Sequence, residues 1–250
     1  MPPVRSAPER RELLKAVFEE AQGCVACQLH QSRTRVVFGA GNADADLMFV
    51  GEAPGANEDR LGLPFVGQAG KLLDKLLAEI GLDRQDVFIC NTIKCRPPDN
   101  RDPHPHEIEA CRPYLFRQIE LIEPTVICTL GNFSTKLLRG DTTGISRLHG
   151  QAEVRVIGPR AVRLYPLYHP AAALYTPSTL ETLRADFGRI PELLAQGAPP
   201  QPEPVAPVPE PEPDPIPEPE RDPEPRPGAV LDGAGRDAGS VRAVEQLGLF

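Results

Sequence analysis

Six cysteines give this 250-residue chain its first chemical possibility. Cys24 and Cys27 form a Cys-x2-Cys pair, and Cys95 and Cys111 are separated by fifteen residues that include a proline-rich stretch. Four thiols drawn from two distant segments suit a tetrahedral thiolate site, holding either zinc or a [4Fe–4S] cluster, and the spacing does not choose between them. Cys90 and Cys128 fall inside apolar runs and are expected to be buried, unreactive thiols.

A second group of residues has the types needed to hold and attack a small polar molecule. The stretch GEAPGANEDRLGLPFVGQAGK is rich in glycine and proline, but it is not a phosphate-binding P-loop. The first glycine of that pattern would fall at Phe65, and Lys71 is followed by Leu72 instead of Ser or Thr. It offers the carboxylate of Glu52, the ring of Phe65, and helix-start amides near Gly70 that could hold a phosphate. Asn91 adds an amide able to donate and accept, and His169 sits at a turn fixed by Pro170. Taken singly, Glu52 would serve as a cap, Phe65 as core, and Asn91 and His169 as turn or structural residues.

The elements around these residues favour the joint reading. Leu13, Leu14, Val17 and Phe18 repeat with a helical period that ends at Gly23. DLMFVGEAPG is a buried strand entering a turn, and GQAGKLLDKLLAEIGL an amphipathic helix closed by Gly81. DVFICNTIKCRPP is a second strand, and the following helix has Pro103 and Pro105 near its start and Pro124 beyond its end. TVICTLGNFSTKLLRG reads as strand, turn and helix. Two strands, AEVRVIG and AVRLYPLYHP, precede a final helix near Leu180–Leu194. This alternation predicts a three-layer α/β/α fold with a central, mostly parallel sheet. Sites in such sheets form at the carboxyl ends of the strands, which is where GEAPG, CNTIKC, GNFS and YHPAA all lie.

These segments resemble, in order, the iron–sulfur (family 4) uracil-DNA glycosylases. The resemblance covers about residues 10–195 and includes CVACQL, RTRVVFGAG, GEAPGANEDRLGLPFVGQAGKLLDKLL, CNTIKCRPPDNRDP, EIEACRPYL and YHPAA. It implies that Cys24, Cys27, Cys95 and Cys111 hold a [4Fe–4S] cluster. It also implies that Glu52, Ala53, Pro54, Phe65, Asn91 and His169 line a uracil pocket. Phe65 would stack on the flipped base, Asn91 would pair with its N3–H and O4, and His169 would donate to O2 as negative charge develops there. Glu52 would orient water; another glycosylase family uses an Asp at the place corresponding to Ala53. Leu174 and Tyr175 are candidates for a wedge in the DNA. A related group binds uracil-DNA covalently through a basic, histidine-containing insertion. CRPPDNRDPHPHEIEAC has no such insertion, although His104 and His106 lie in this loop. Turnover by a monofunctional hydrolase is therefore expected, with a non-catalytic or covalent uracil-DNA binder as the alternative. A zinc-stabilised nucleic-acid module is the third reading.

The composition changes near Gly197. Of 30 prolines, 14 lie between Pro199 and Pro227, interleaved with acids. Such a stretch lacks the apolar surface to offset its ordering entropy. The net charge of −8 belongs almost wholly to this end: residues 199–250 carry 4 basic and 11 acidic residues, leaving −1 for residues 1–198. The acidic total thus does not argue against a DNA partner. The expected organisation is a catalytic domain over 1–198, a disordered linker over 199–245, and a short peptide over 246–250. That peptide, with Gln246, Leu247, Leu249 and Phe250, resembles the motif by which bacterial repair proteins bind the sliding clamp. The charged N-terminus has no secretion signal and no apolar run could span a membrane. A monomeric, cytoplasmic bacterial protein acting on single- or double-stranded uracil-containing DNA is expected.

Overall fold

The computed structural model describes residues 5–202. Most of the linker and the peptide carrying Gln246, Leu247, Leu249 and Phe250 lie outside the described residues. Six strands form one sheet: β1 (Ala40–Gly41), β2 (Leu47–Gly51), β3 (Val87–Asn91), β4 (Val126–Leu130), β5 (Glu153–Ile157) and β6 (Arg160–Leu167). Their order is β1-β3-β2-β4-β6-β5. The four inner strands run parallel, and β1 and β5 are antiparallel edges. The expected three-layer α/β architecture is thus present.

Residues of β2, β3 and β4 are buried on both faces, as a covered parallel sheet requires. The two-residue period divides them between two cores. Met48, Val50, Phe88 and Cys90 join one core with Leu14 and Val17 of helix α1 (Ala7–Gln22). Leu115 and Ile119 of a later helix enter the same core. Leu47, Phe49, Val87, Ile89 and Cys128 face the other core. There they meet Leu73, Leu76, Leu77 and Phe187. Cys90 and Cys128 are fully buried, as expected.

The remaining helices are α2 (Ala56–Leu61), α3 (Gln68–Glu79), α4 (Pro105–Ile122), α5 (Asn132–Arg139), α6 (Ile145–Leu148), α7 (Pro170–Ala173), α8 (Pro177–Gly188) and α9 (Ile190–Ala195). The single final helix expected over Leu180–Leu194 is thus two. Pro191 lies in the first turn of α9, and its ring cannot continue α8. The short α2 had no periodicity to announce it.

The last described residues are fastened to the amino end of β6. Gln201 both accepts from the Ala161 amide (3.1 Å) and donates to its carbonyl (3.0 Å), taking the place of a neighbouring strand. This rim is opposite the carboxyl ends of the parallel strands, because β6 runs from Arg160 toward Leu167.

Candidate active site and thiol centre

The parallel pairing of β2 with β3 brings Gly51 opposite Asn91. The ladder continues past the strand ends, where Thr92 donates to the Gly51 carbonyl (2.9 Å) and Ile93 to that of Glu52 (3.1 Å). Glu52 and Asn91 therefore leave neighbouring strands side by side. His169 follows β6, so all three stand on one rim. Together with Ala53, Pro54 and Phe65 they line a cavity of about 390 Å³. Every pocket residue expected from the sequence is in this one cavity.

Asn91 is 1% exposed, yet neither its Nδ2 nor its Oδ1 has a partner in the protein. A buried amide left unpaired costs about 1–3 kcal/mol, so its donor and acceptor are kept free for a ligand. Gly51 makes this possible. A Cβ there would lie 2.4 Å from Asn91 Oδ1 and 2.7 Å from the Phe65 ring.

Phe65 belongs to the core and to the cavity wall at once. Its φ of 52° is unfavourable for a bulky side chain, and neighbours impose it. Arg84, paired with Asp74 (2.5 Å), donates to the carbonyls of Pro64 (3.0 Å) and Phe65. Gly70 allows α3 to start against this backbone, since a Cβ would lie 1.7 Å from the Phe65 oxygen. The Phe65 ring then stacks against His169, with centroids 5.7 Å apart and planes 26° from parallel.

His169 Nδ1 accepts the Ala171 amide (3.1 Å), so a neutral ring carries its proton on Nε2. Burial pushes its pKa down to about 4, which keeps the ring neutral near pH 7. Glu52 moves the other way. Burial, and secondarily the charge of Asp102, raise its carboxyl to about 7. The site thus combines a neutral N–H donor with a carboxyl poised near neutrality.

The amides just before α3 are held by a carboxylate. Glu58 Oε1 accepts from the amides of Val66 and Gly67, each at 2.9 Å, in the turn that leads into α3. Its neighbour Asp59, buried, accepts from Thr34 (2.9 Å) and ties the RTRVV segment to the same short helix. These two carboxylates were not singled out in the sequence; their helix has no periodicity of its own. Tyr175 is 89% exposed just beyond α7, while Leu174 is partly buried.

Cys24, Cys27, Cys95 and Cys111 line a separate cavity, together with Arg33, Lys94 and Tyr114. Arg33 donates to Cys95 Sγ (3.4 Å) and to the Cys24 carbonyl (2.7 Å), and the Lys94 amide donates to Cys111 Sγ (3.2 Å). Burial pushes the Cys111 thiol up to about 11. Among the described residues, no three of His, Cys, Asp and Glu converge closely enough to hold one metal ion. The four thiols line one small cavity, a donor set suited to a thiolate-held metal or cluster.

Residues 38–190 match the family model of the uracil DNA glycosylase superfamily. The chain is 49% identical over 185 residues to a type-4 uracil-DNA glycosylase of Sulfurisphaera tokodaii, covering 72% of this chain and 84% of that protein. It is 47% identical over 193 residues to the one from Archaeoglobus fulgidus, covering 75% and 96%. The Thermotoga maritima protein of the same name is 45% identical over 166 residues, covering 66% and 85%.

Substituting Gly51→Ala tests the cavity description. The added methyl should displace the Asn91 amide or the Phe65 ring and lower excision from a uracil-containing oligonucleotide by at least tenfold. Far-ultraviolet circular dichroism should show the fold retained. Unchanged excision would mean that this approach does not shape the ligand site.

Proposed function

The chain belongs to the uracil-DNA glycosylase superfamily and to its type-4 members, and from this we propose how its cavity removes uracil from DNA. The enzyme hydrolyses the N-glycosidic bond of deoxyuridine and leaves an abasic site. The observation that carries the assignment of roles is the unpaired Asn91 amide inside a cavity walled by Phe65 and His169.

Reaching the bond requires the nucleotide to leave the base stack, at a cost of a few kcal/mol. Phe65 then offers its face to the base. Asn91 Oδ1 accepts from uracil N3–H and Nδ2 donates to O4. Cytosine presents the reverse pattern and would leave both Asn91 atoms unpaired, which is the basis of rejection. Ala53 and Pro54 complete the wall. The exposed Tyr175, more than Leu174, is suited to fill the gap left in the stack.

As the bond between C1′ and N1 breaks, its electron pair passes to the uracil ring and charge grows on O2. The neutral His169 Nε2–H donates to that oxygen, and loss of such a donor typically slows a reaction by about 10²–10³-fold. Water supplies the new bond to C1′. Glu52, as carboxylate, orients this water and accepts its proton. The absence of the basic insertion from the loop after β3 favours turnover over covalent capture.

The thiol centre fits the same family assignment. Cys24, Cys27, Cys95 and Cys111 would hold a [4Fe–4S] cluster, with Arg33 and the Lys94 amide as donors to sulfur. When bound, the cluster would supply structural cross-linking of the segment after α1 to the loop after β3.

For the chain's organisation, we infer a catalytic domain over 1–198, a linker over 199–245 and a clamp-binding peptide over 246–250. Residues Gln246, Leu247, Leu249 and Phe250 would dock in an apolar groove of the sliding clamp. Extended Pro-rich chain over 199–227 would reach about 90 Å.

Single-turnover assays on uracil and matched thymine oligonucleotides, scored as alkali-labile sites, test the catalytic roles. His169→Ala should lower uracil excision by about 10²-fold or more while DNA binding persists. Excision should rise with pH through about 7 as Glu52 ionises, and Glu52→Gln should remove that inflection. His169, neutral above about pH 4, should add none. A pH profile that survives Glu52→Gln would remove Glu52 from the water step. For the tail, titration of bacterial clamp should show weak binding that Leu249→Ala with Phe250→Ala abolishes, leaving oligonucleotide excision unaltered. No clamp binding by the full chain would end the tether reading.

A further inference from the structure

One buried cation has no part in the uracil chemistry. Lys94 is 1% exposed. Its Nζ donates to the Asn91 carbonyl (2.7 Å) and to Gln118 Oε1 (2.6 Å), both neutral acceptors. Gln118 is also fully buried, and its Nε2 donates to the Phe38 carbonyl (2.9 Å), which fixes its Oε1 toward the lysine. The Phe38 ring lies 5.9 Å from Nζ. The backbone of the same lysine is equally engaged: its amide donates to Cys111 Sγ (3.2 Å) and its carbonyl accepts from Val37 (2.8 Å).

An ammonium taken out of water carries a penalty of several kcal/mol, and neutral acceptors offset only part of it. A charged partner is close by, because Lys94 lines the cavity ringed by the four thiols. Four thiolates around a [4Fe–4S] core carry a net negative charge in that cavity. Each charge then stabilises the other in a region where neither meets much water. Lys94 meets the thiol centre through its backbone amide, on Cys111 Sγ, and holds the Asn91 carbonyl through its ammonium.

We propose that Lys94 is the internal counter-cation of the four-thiolate centre and the positioning residue through which that centre holds Asn91 in place. The proposal rests on the iron–sulfur reading given above. It makes the thiol centre more than a cross-link between two chain segments. Its charge keeps Lys94 at home, and Lys94 keeps the Asn91 backbone in register with the cavity.

The test uses the full-length protein purified without air. Iron analysis comes first: about four irons per chain are expected, lost in Cys24→Ala and kept in Cys90→Ala. A colourless wild-type protein loaded with zinc would overturn the iron–sulfur reading, and the proposal with it. With iron present, Lys94→Met preserves length but removes the charge. Its cluster should show a more negative reduction potential and should lose iron to a chelator about tenfold faster. Inhibition by free uracil should weaken by about tenfold, since the charge-assisted bond to Asn91 is gone. A merely structural lysine would not move the potential. If Lys94→Met fails to fold or load, Gln118→Glu places a carboxylate on the same ammonium and should shift the potential in the same direction. A wild-type potential in a folded, iron-loaded variant of either kind overturns the proposal.

Discussion

A buried side-chain amide without a protein partner is the constraint around which this molecule is arranged. Asn91 sits at the end of a central strand, where ordinary folding would demand that its Nδ2 and Oδ1 be satisfied. Leaving both open costs stability, and that cost is tolerable only if the surroundings cannot collapse onto them. The register of β2 and β3 prevents collapse by setting a side-chain-free Gly51 opposite Asn91. Thr92 and Ile93 extend the ladder past the strands, so the Asn91 backbone cannot turn away. On the proposed reading, specificity for one base would rest on this unrelieved polar pair.

The other wall of the cavity stores its energy in backbone conformation. Phe65 holds a positive φ because Arg84 grips the preceding and local carbonyls while α3 begins tightly against them. Glu58 accepts from the Val66 and Gly67 amides and so pins the loop that leads into that helix. The consequence is a ring held both by the core and against His169, with little freedom to swing into the cavity. Burial does the remaining work. It lowers His169 and raises Glu52, so one environment yields a neutral donor and a carboxyl that changes charge near neutral pH.

The cavity and the thiol centre share the loop that follows β3. Over five residues, Asn91 to Cys95, the chain passes from the unpaired cavity amide to a thiol of the second cavity, with Lys94 bonded toward both. Gln118 reaches the same lysine from α4, the helix that also supplies Cys111. The sheet face bearing α1 and α4 therefore supports the rim chemistry from behind, while the face bearing α3 and α8 forms the opposite core.

Much of this was legible in the sequence because its signals are local. Short apolar runs gave β2, β3 and β4 and a helical period gave α3, turn chemistry put the rim segments after strands, and the ordered motifs singled out Asn91, His169 and the four cysteines. The failures were also physical. A helix period was carried through Pro191, where the missing amide and the ring end α8, and the six-residue α2 is too short to show any period. Only the tertiary structure decided that Glu58 holds the Val66 and Gly67 amides, that Asn91 is left unpaired, and that Lys94 finds Gln118. Those facts join residues far apart in the chain. Local propensity determines which elements form, whereas the partners of a buried charge or amide are set by how those elements meet.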